Sequence, residues 1–180
     1  MVSALTPNPS LNADVPHAWA APPQRAAGWL VSLGRANDID LKVRSMSTET
    51  EALEQFFAAI NRNDMQAITK DFDPQIVRIE PEGFPTAGTY RGISEVQEHV
   101  TRGRGSWAEG TCEPEKFLVN GDRVVVFLHA RVRKKGSTEW GGGRFADGFV
   151  FREGKITQYL SFGERVDALK WAGIDDQEVL

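Results

Sequence analysis

Asp147 sits in a strand-like run, Arg144-Phe145-Ala146-Asp147-Gly148-Phe149-Val150-Phe151. Alternation along a strand puts Phe145, Asp147, Phe149 and Phe151 on one face. A carboxylate among phenylalanines is costly to desolvate, so it must find a partner, take up a proton or face a cavity. A carboxyl whose pKa is raised in this way is suited to acid/base chemistry. The plainer alternative is an edge strand with Asp147 solvated or paired with a nearby arginine. A second carboxylate, Glu80, stands before Pro81 at the end of a short strand, two residues after Arg78 on the same face. A salt-bridged residue at the rim of the domain is its plainer reading.

Composition narrows the chemistry these carboxylates serve. The chain has 180 residues and 19.9 kDa, 41% apolar and 26% charged, which suits one globular domain with an extension. A net charge of −4 without a long basic run argues against nucleic acid and anionic membranes as partners. No apolar run approaches the length of a bilayer span. The lone Cys112 cannot form an internal disulfide, which suits a reducing cytoplasm. His17, His99 and His129 are scattered without metal-ligand spacing, so no metal site is expected. The glycine clusters lead into strands or end helices, so no phosphate-binding loop and no cofactor is expected.

The composition changes near residue 46. Before it lie five of the nine prolines (Pro7, Pro9, Pro16, Pro22, Pro23), and Ala26 to Leu33 is the only piece with a pattern. Residues 1–45 are expected to be a disordered or non-native extension, Met46 reading as a natural start. The alternative is a segment that docks through Trp19 and Trp29. From 46 to 175 the pattern predicts one domain that folds alone. Thr48 with Glu51 reads as a capping box for a helix carrying Leu53, Phe56, Phe57 and Ile60. Asn61 to Asp64 breaks it and caps a short helix with Ala67 and Ile68. A strand from Gln75 to Glu80 follows, then a Gly/Pro-rich loop and a third helix from about Ile93 to Thr101.

The remainder reads as an antiparallel meander. Its strands run from Cys112 to Val119, Arg123 to Arg133, Glu139 to Phe151 and Ile156 to Phe162. Asn120-Gly121 is a hairpin turn signal, and Gly141-Gly142-Gly143 suggests a bulge or sharp bend. A last helix with Val166 and Leu169 stops at Gly173. Strand Arg123–Arg133 is apolar on both faces. Helices cover one, so Val125 and Phe127 predict a homodimer that covers the other.

Helices grouped at one end of an antiparallel sheet define an α+β domain. The order, with Asn63-Asp64-Met65-Gln66-Ala67-Ile68, Ile79-Glu80-Pro81, Tyr90-Arg91-Gly92 and Phe151-Arg152-Glu153-Gly154-Lys155-Ile156, resembles the nuclear transport factor 2-like superfamily. That superfamily includes the ketosteroid isomerases and the SnoaL-like cyclases. The resemblance implies a cone: a curved antiparallel sheet and three N-terminal helices around an apolar pocket, with a short C-terminal helix.

The resemblance also implies roles. Glu80 falls where ketosteroid isomerases keep a proton-shuttling aspartate, and Asp147 on the acid that stays protonated and donates to an oxyanion. An apolar site keeps such an acid neutral at a working pH, which is what lets it donate. The oxyanion tyrosine corresponds to Phe56, which has no hydroxyl, and a lost oxyanion donor typically costs about a hundredfold or more. Pocket-lining residues on this reading are Phe56, Tyr90, Trp107, His129, Phe145, Phe149, Tyr159 and Phe162. The expected function is an isomerase or aldol-type cyclase acting on a carbonyl substrate. The alternative is a non-catalytic domain that binds a small hydrophobic ligand or dimerises. An epoxide hydrolase of this fold would need Arg-x-Asp in the strand that here reads His129-Ala130-Arg131-Val132-Arg133.

Overall fold

A computed structural model describes residues 35–175, with side chains from Thr48 onward. The expectations for Ala26–Leu33, Trp19 and Trp29 lie outside the described residues. The first helix, α1 (Arg35–Arg62), contains neither glycine nor proline, so nothing stops it at the expected boundary. It therefore begins well before Thr48. Thr48 lies inside it and is not an N-cap, and the expected division at residue 46 falls within a helix. Asn63 ends it with a positive φ of 60°, and the Asp64 carboxylate accepts the Ala67 amide at 3.1 Å to cap α2 (Met65–Thr69).

Six strands follow: β1 (Phe72–Glu80), β2 (Gly88–Arg91), then after α3 (Gly92–Gly105) β3 (Trp107–Asn120), β4 (Arg123–Lys134), β5 (Trp140–Arg152) and β6 (Lys155–Phe162). They form one curved sheet in the order β2-β1-β6-β5-β4-β3. The expectation of a wholly antiparallel sheet is corrected at one seam. β1 returns beside β6 in parallel, with Val77 opposite Gln158 and Arg78 opposite Tyr159, while the other pairings are antiparallel. A strand far off in sequence can pair either way, and local patterning carries no information about which. Pro114 interrupts the register only on β3, an edge strand, where a missing donor is tolerated. The three glycines make no bulge, since β4 and β5 stay in register through Ala130–Gly143 and Val132–Gly141. They permit close approach instead: at Gly142 (φ 129°) a Cβ would lie 2.1 Å from the Ala130 carbonyl oxygen.

The inner face carries the main core. Val124, Val126, Leu128, Phe149, Phe151 and Ile156 pack on Leu53, Phe56, Phe57 and Ile76, all buried. The Val125 and Phe127 part of the outer face is covered from within the chain. Val125, Phe127 and Ala146 pack against Ala168, Leu169 and Ala172 of the C-terminal helix α4 (Arg165–Ala172). Val125 and Phe127 thus supply no ground for a homodimer, because the short helix already removes them from water. Gly173 (φ 71°) caps α4 as expected. No helix among the described residues is long and apolar enough to cross a membrane.

α4 seats on the sheet through a missing side chain. A Cβ at Gly148 would lie 2.7 Å from the Trp171 ring and 3.0 Å from the Phe162 ring. Gly148→Ala should therefore cost about 1–3 kcal/mol in urea denaturation, the usual range for overpacking. In Trp171→Ala the same substitution should be nearly free, and additive losses would show that the contact is not the cause.

Candidate functional site

Three adjacent strands bring the polar residues into one row. On β1, Arg78 and Glu80 share a face by the period of two. The β6 residues opposite Arg78 and Asp147 are Tyr159 and Ser161. Asp147 Oδ1 accepts a hydrogen bond from the Ser161 hydroxyl at 2.6 Å, and Oδ2 accepts one from the Tyr159 hydroxyl at 3.0 Å. Arg78 Nη2 donates to Ser161 Oγ at 2.8 Å and to Glu80 Oε1 at 3.1 Å. The Arg78 guanidinium also lies 3.8 Å from the Tyr159 ring centroid. Glu80 Oε2 accepts from the Thr86 hydroxyl and lies 3.3 Å from His99 Nε2. A chain of contacts thus runs from Asp147 through Ser161 and Arg78 to Glu80 and His99.

These residues line a cavity of about 440 Å³ on the inner side of the sheet. Trp107, Phe145, Phe57 and Val100 supply apolar wall, and Cys112 is also there, its thiol pushed up by burial. Asp147 is 2% exposed. Burial raises its pKa to about 6, against the Arg78 charge and the hydrogen bonds from Ser161 and Tyr159, and the Glu80 charge adds to the rise. For Glu80, burial acts upward, but the His99 hydrogen bond, the Arg78 charge and Thr86 outweigh it and hold the carboxyl below its ordinary value. The two carboxyls consequently differ in protonation only below about pH 6. Above that both are anions, with the Arg78 charge between them. Burial also lifts the Tyr159 phenol well above its ordinary range, so it is a donor at any working pH.

Of the residues expected in the pocket, Glu80, Trp107, Phe145, Asp147 and Tyr159 line it. Phe56 and Phe149 do not; they lie in the core, Phe149 stacked on Tyr159 at 4.7 Å and Phe56 edge-on to it at 5.6 Å. Tyr90 is also outside the lining. It stacks on His99 at 3.9 Å and donates to the Thr86 carbonyl at 2.9 Å, which positions the residues that hold Glu80. His129 is corrected: it alternates with Val125 and Phe127 on the α4 side of the sheet and does not reach the cavity. Phe162 is corrected likewise, its ring lying 5.7 Å from Trp171 on that outer face. Alternation by itself places both there: His129 shares the face of Val125 and Phe127, and Phe162 lies on the face opposite Tyr159.

Arg78, His99 and Ser161 were not expected as site residues. Arg78 and Ser161 each stand two positions from a candidate, on the same face. His99 lies three residues after Val96 on the buried side of α3.

The fold is that of the nuclear transport factor 2-like superfamily, with a polar site at the floor of its cavity. The model of the SnoaL-like domain matches residues 53–159, and the chain belongs to that family. A nuclear transport factor 2-like protein of unknown function from Burkholderia pseudomallei is similar at 19% identity and TM-score 0.59, covering 69% of this chain and 97% of its own. Another, from Burkholderia thailandensis, is 26% identical with TM-score 0.58, covering 67% and 96%. An LEH-like epoxide hydrolase from M. tuberculosis is 17% identical with TM-score 0.55, covering 70% and 90%. No curated protein matches the chain significantly.

The raised Asp147 pKa has a defined effect on stability. The folded state holds this proton more tightly than the unfolded chain, whose value is near 3.8, so stability from Asp147 is greatest at low pH and falls as pH rises to about 6. The loss is about 3 kcal/mol. Denaturation of Asp147→Asn beside the parent should show the variant gaining on the parent by about that amount between about pH 4 and pH 7. Parallel stability curves would contradict the assignment.

Proposed function

We propose that the cavity is an acid/base site for a small, largely apolar carbonyl compound. Asp147 carries the reading: a buried carboxyl with a raised pKa, facing a cavity and braced by two hydroxyls. In its neutral form Asp147 donates to the substrate oxygen as negative charge develops there. The Tyr159 hydroxyl, whose single proton is given to Asp147 Oδ2, is a second donor once it turns from Asp147 to the substrate. Glu80 takes the proton from the carbon next to the carbonyl. Returning that proton at another carbon is isomerisation, and attack of the enolate on a second carbonyl is aldol-type cyclisation. Tyr159 would take the donor's place that Phe56 cannot fill. The segment His129–Arg133 lacks the Arg-x-Asp expected of an epoxide hydrolase, so the likeness to such an enzyme carries no reaction to this chain.

One observation favours a second reading, a binding pocket without turnover. Both Glu80 oxygens are occupied, by Arg78 on one side and by Thr86 and His99 on the other. A carboxylate so held is a weak base unless the substrate displaces a partner.

Deuterium exchange at the α-carbon of beta-tetralone, followed by proton NMR in D2O, separates the two. On the enzyme reading the protein accelerates exchange, Glu80→Gln lowers the rate about a hundredfold or more, and Asp147→Ala does the same while Asp147→Asn, which keeps a donor, stays within about tenfold. The rate should also fall as pH rises above about 6, where Asp147 loses its proton. Binding of the ketone without exchange would establish the second reading.

A further inference from the structure

The inner cavity is more basic than the chain that builds it. Arg78, Arg102, Arg104 and Lys134 line it with only two carboxyls, Glu80 and Asp147, in a chain of net charge −4. Arg78 is matched at depth by Glu80. The other three cations are at the solvent end, Arg102 and Arg104 closing α3 and Lys134 closing β4. A backbone hydrogen bond from Lys135 to the Ser106 carbonyl at 2.9 Å ties these two chain ends together.

Among the described residues, none of the three has a carboxylate within ion-pair distance. Outside the inner cavity Arg133 is paired with Glu109, and Arg144 and Arg165 share Glu115. Arg62, Arg91, Arg123, Arg131 and Arg152 are likewise without an ion pair among the described residues, so what sets the three apart is that they converge on one cavity. Arg104 is also fixed in place. Its Nε and Nη2 donate to the Ile60 and Asn61 carbonyls at 2.6 and 3.1 Å, and it lies 4.7 Å from the Trp107 ring centroid. Those partners are last-turn carbonyls of α1, whose partial negative charge offsets part of the Arg104 charge without a full counter-ion. Further in, Arg78 Nε and His99 Nδ1 are buried without a hydrogen-bond partner, and both residues are 3% exposed. A neutral apolar ligand gains nothing from three unpaired cations, which also repel one another. An anion offsets that repulsion, and apolar walls focus the field on it.

We infer that the cavity takes an apolar carbonyl compound that also bears an oxyanionic group of the carboxylate class. Arg102, Arg104 and Lys134 hold that group at the mouth, and the carbonyl end reaches Asp147. The assignment of the carbonyl end rests on the reading proposed above; the anionic end rests on the cations alone.

The test uses the full chain and two fluorescent probes with one aromatic frame, anionic anilinonaphthalenesulfonate and neutral phenylnaphthylamine. At low salt the sulfonate should bind about tenfold more tightly. Arg102→Gln combined with Lys134→Gln should bring the affinity ratio to about one, as should KCl at about 0.5 M. Arg91→Gln with Arg152→Gln, exposed cations away from the cavity, should leave the ratio unchanged. Equal affinities in the parent, no binding of either probe, or a control pair that collapses the ratio as fully as the mouth pair would each overturn the inference. Equal affinities together with ketone exchange would remove the anionic end and leave the carbonyl site standing. Charge preference without exchange would do the reverse.

Discussion

The arrangement depends on one buried cation, the Arg78 guanidinium. A charge 3% exposed survives only if most of its donors are answered: Nη2 donates to both Glu80 and Ser161, and Nη1 to the Ile79 and Tyr159 carbonyls. Ser161 accepts from Arg78 and donates to Asp147, so the positive charge acts on the second carboxylate through a hydroxyl. Removing one partner from such a buried network typically costs about 3–5 kcal/mol, because the remaining charge is left uncompensated. The parallel seam between β1 and β6 makes this possible. It sets Arg78 opposite Tyr159 and leaves Ser161 two residues further along the same face.

Electrostatics divides labour between two carboxyls that look alike in sequence. Glu80 is surrounded by donors and stays charged. Asp147 has donors too, but it is buried beside the core phenylalanines, and desolvation dominates. A neutral acid beside a fixed anion is the pairing that proton transfer at carbon requires. The same geometry explains why Glu80 is less free than a bare base: the partners that keep it ionised also hold its lone pairs. Tyr159 links the two halves. Its ring meets Arg78 and Phe149, and its hydroxyl meets Asp147, so rotating it away would break contacts with the core and the site together.

The sequence was most informative where periodicity was strict. The face shared by Phe145, Asp147, Phe149 and Phe151 is the one that meets the core and cavity, and the helix stop at Asn63 and the cap at Gly173 follow from local chemistry. It was least informative about long-range pairing. Nothing local signals that β1 returns to β6 in parallel, and without that seam Glu80 reads as a salt-bridged rim residue and neither Arg78 nor Ser161 is marked as part of a site. The cover for Val125 and Phe127 is hard to foresee because α4 is short and its apolar face holds few large residues, which points instead to a partner subunit. His129 and Phe162 fall on the outer face by alternation, His129 with Phe127 and Phe162 opposite in facing to Tyr159, a constraint that outranks the family resemblance for these two residues.

Burial, resisted by Arg78, Ser161 and Tyr159, keeps Asp147 protonated to higher pH than Glu80. A carboxyl-carbon NMR titration, with Asp147→Asn and Glu80→Gln assigning the signals, measures this directly. The predicted midpoint for Asp147 is about 6, with Glu80 titrating below its ordinary value. An Asp147 midpoint near 3.8, the value of a solvated aspartate, would contradict it.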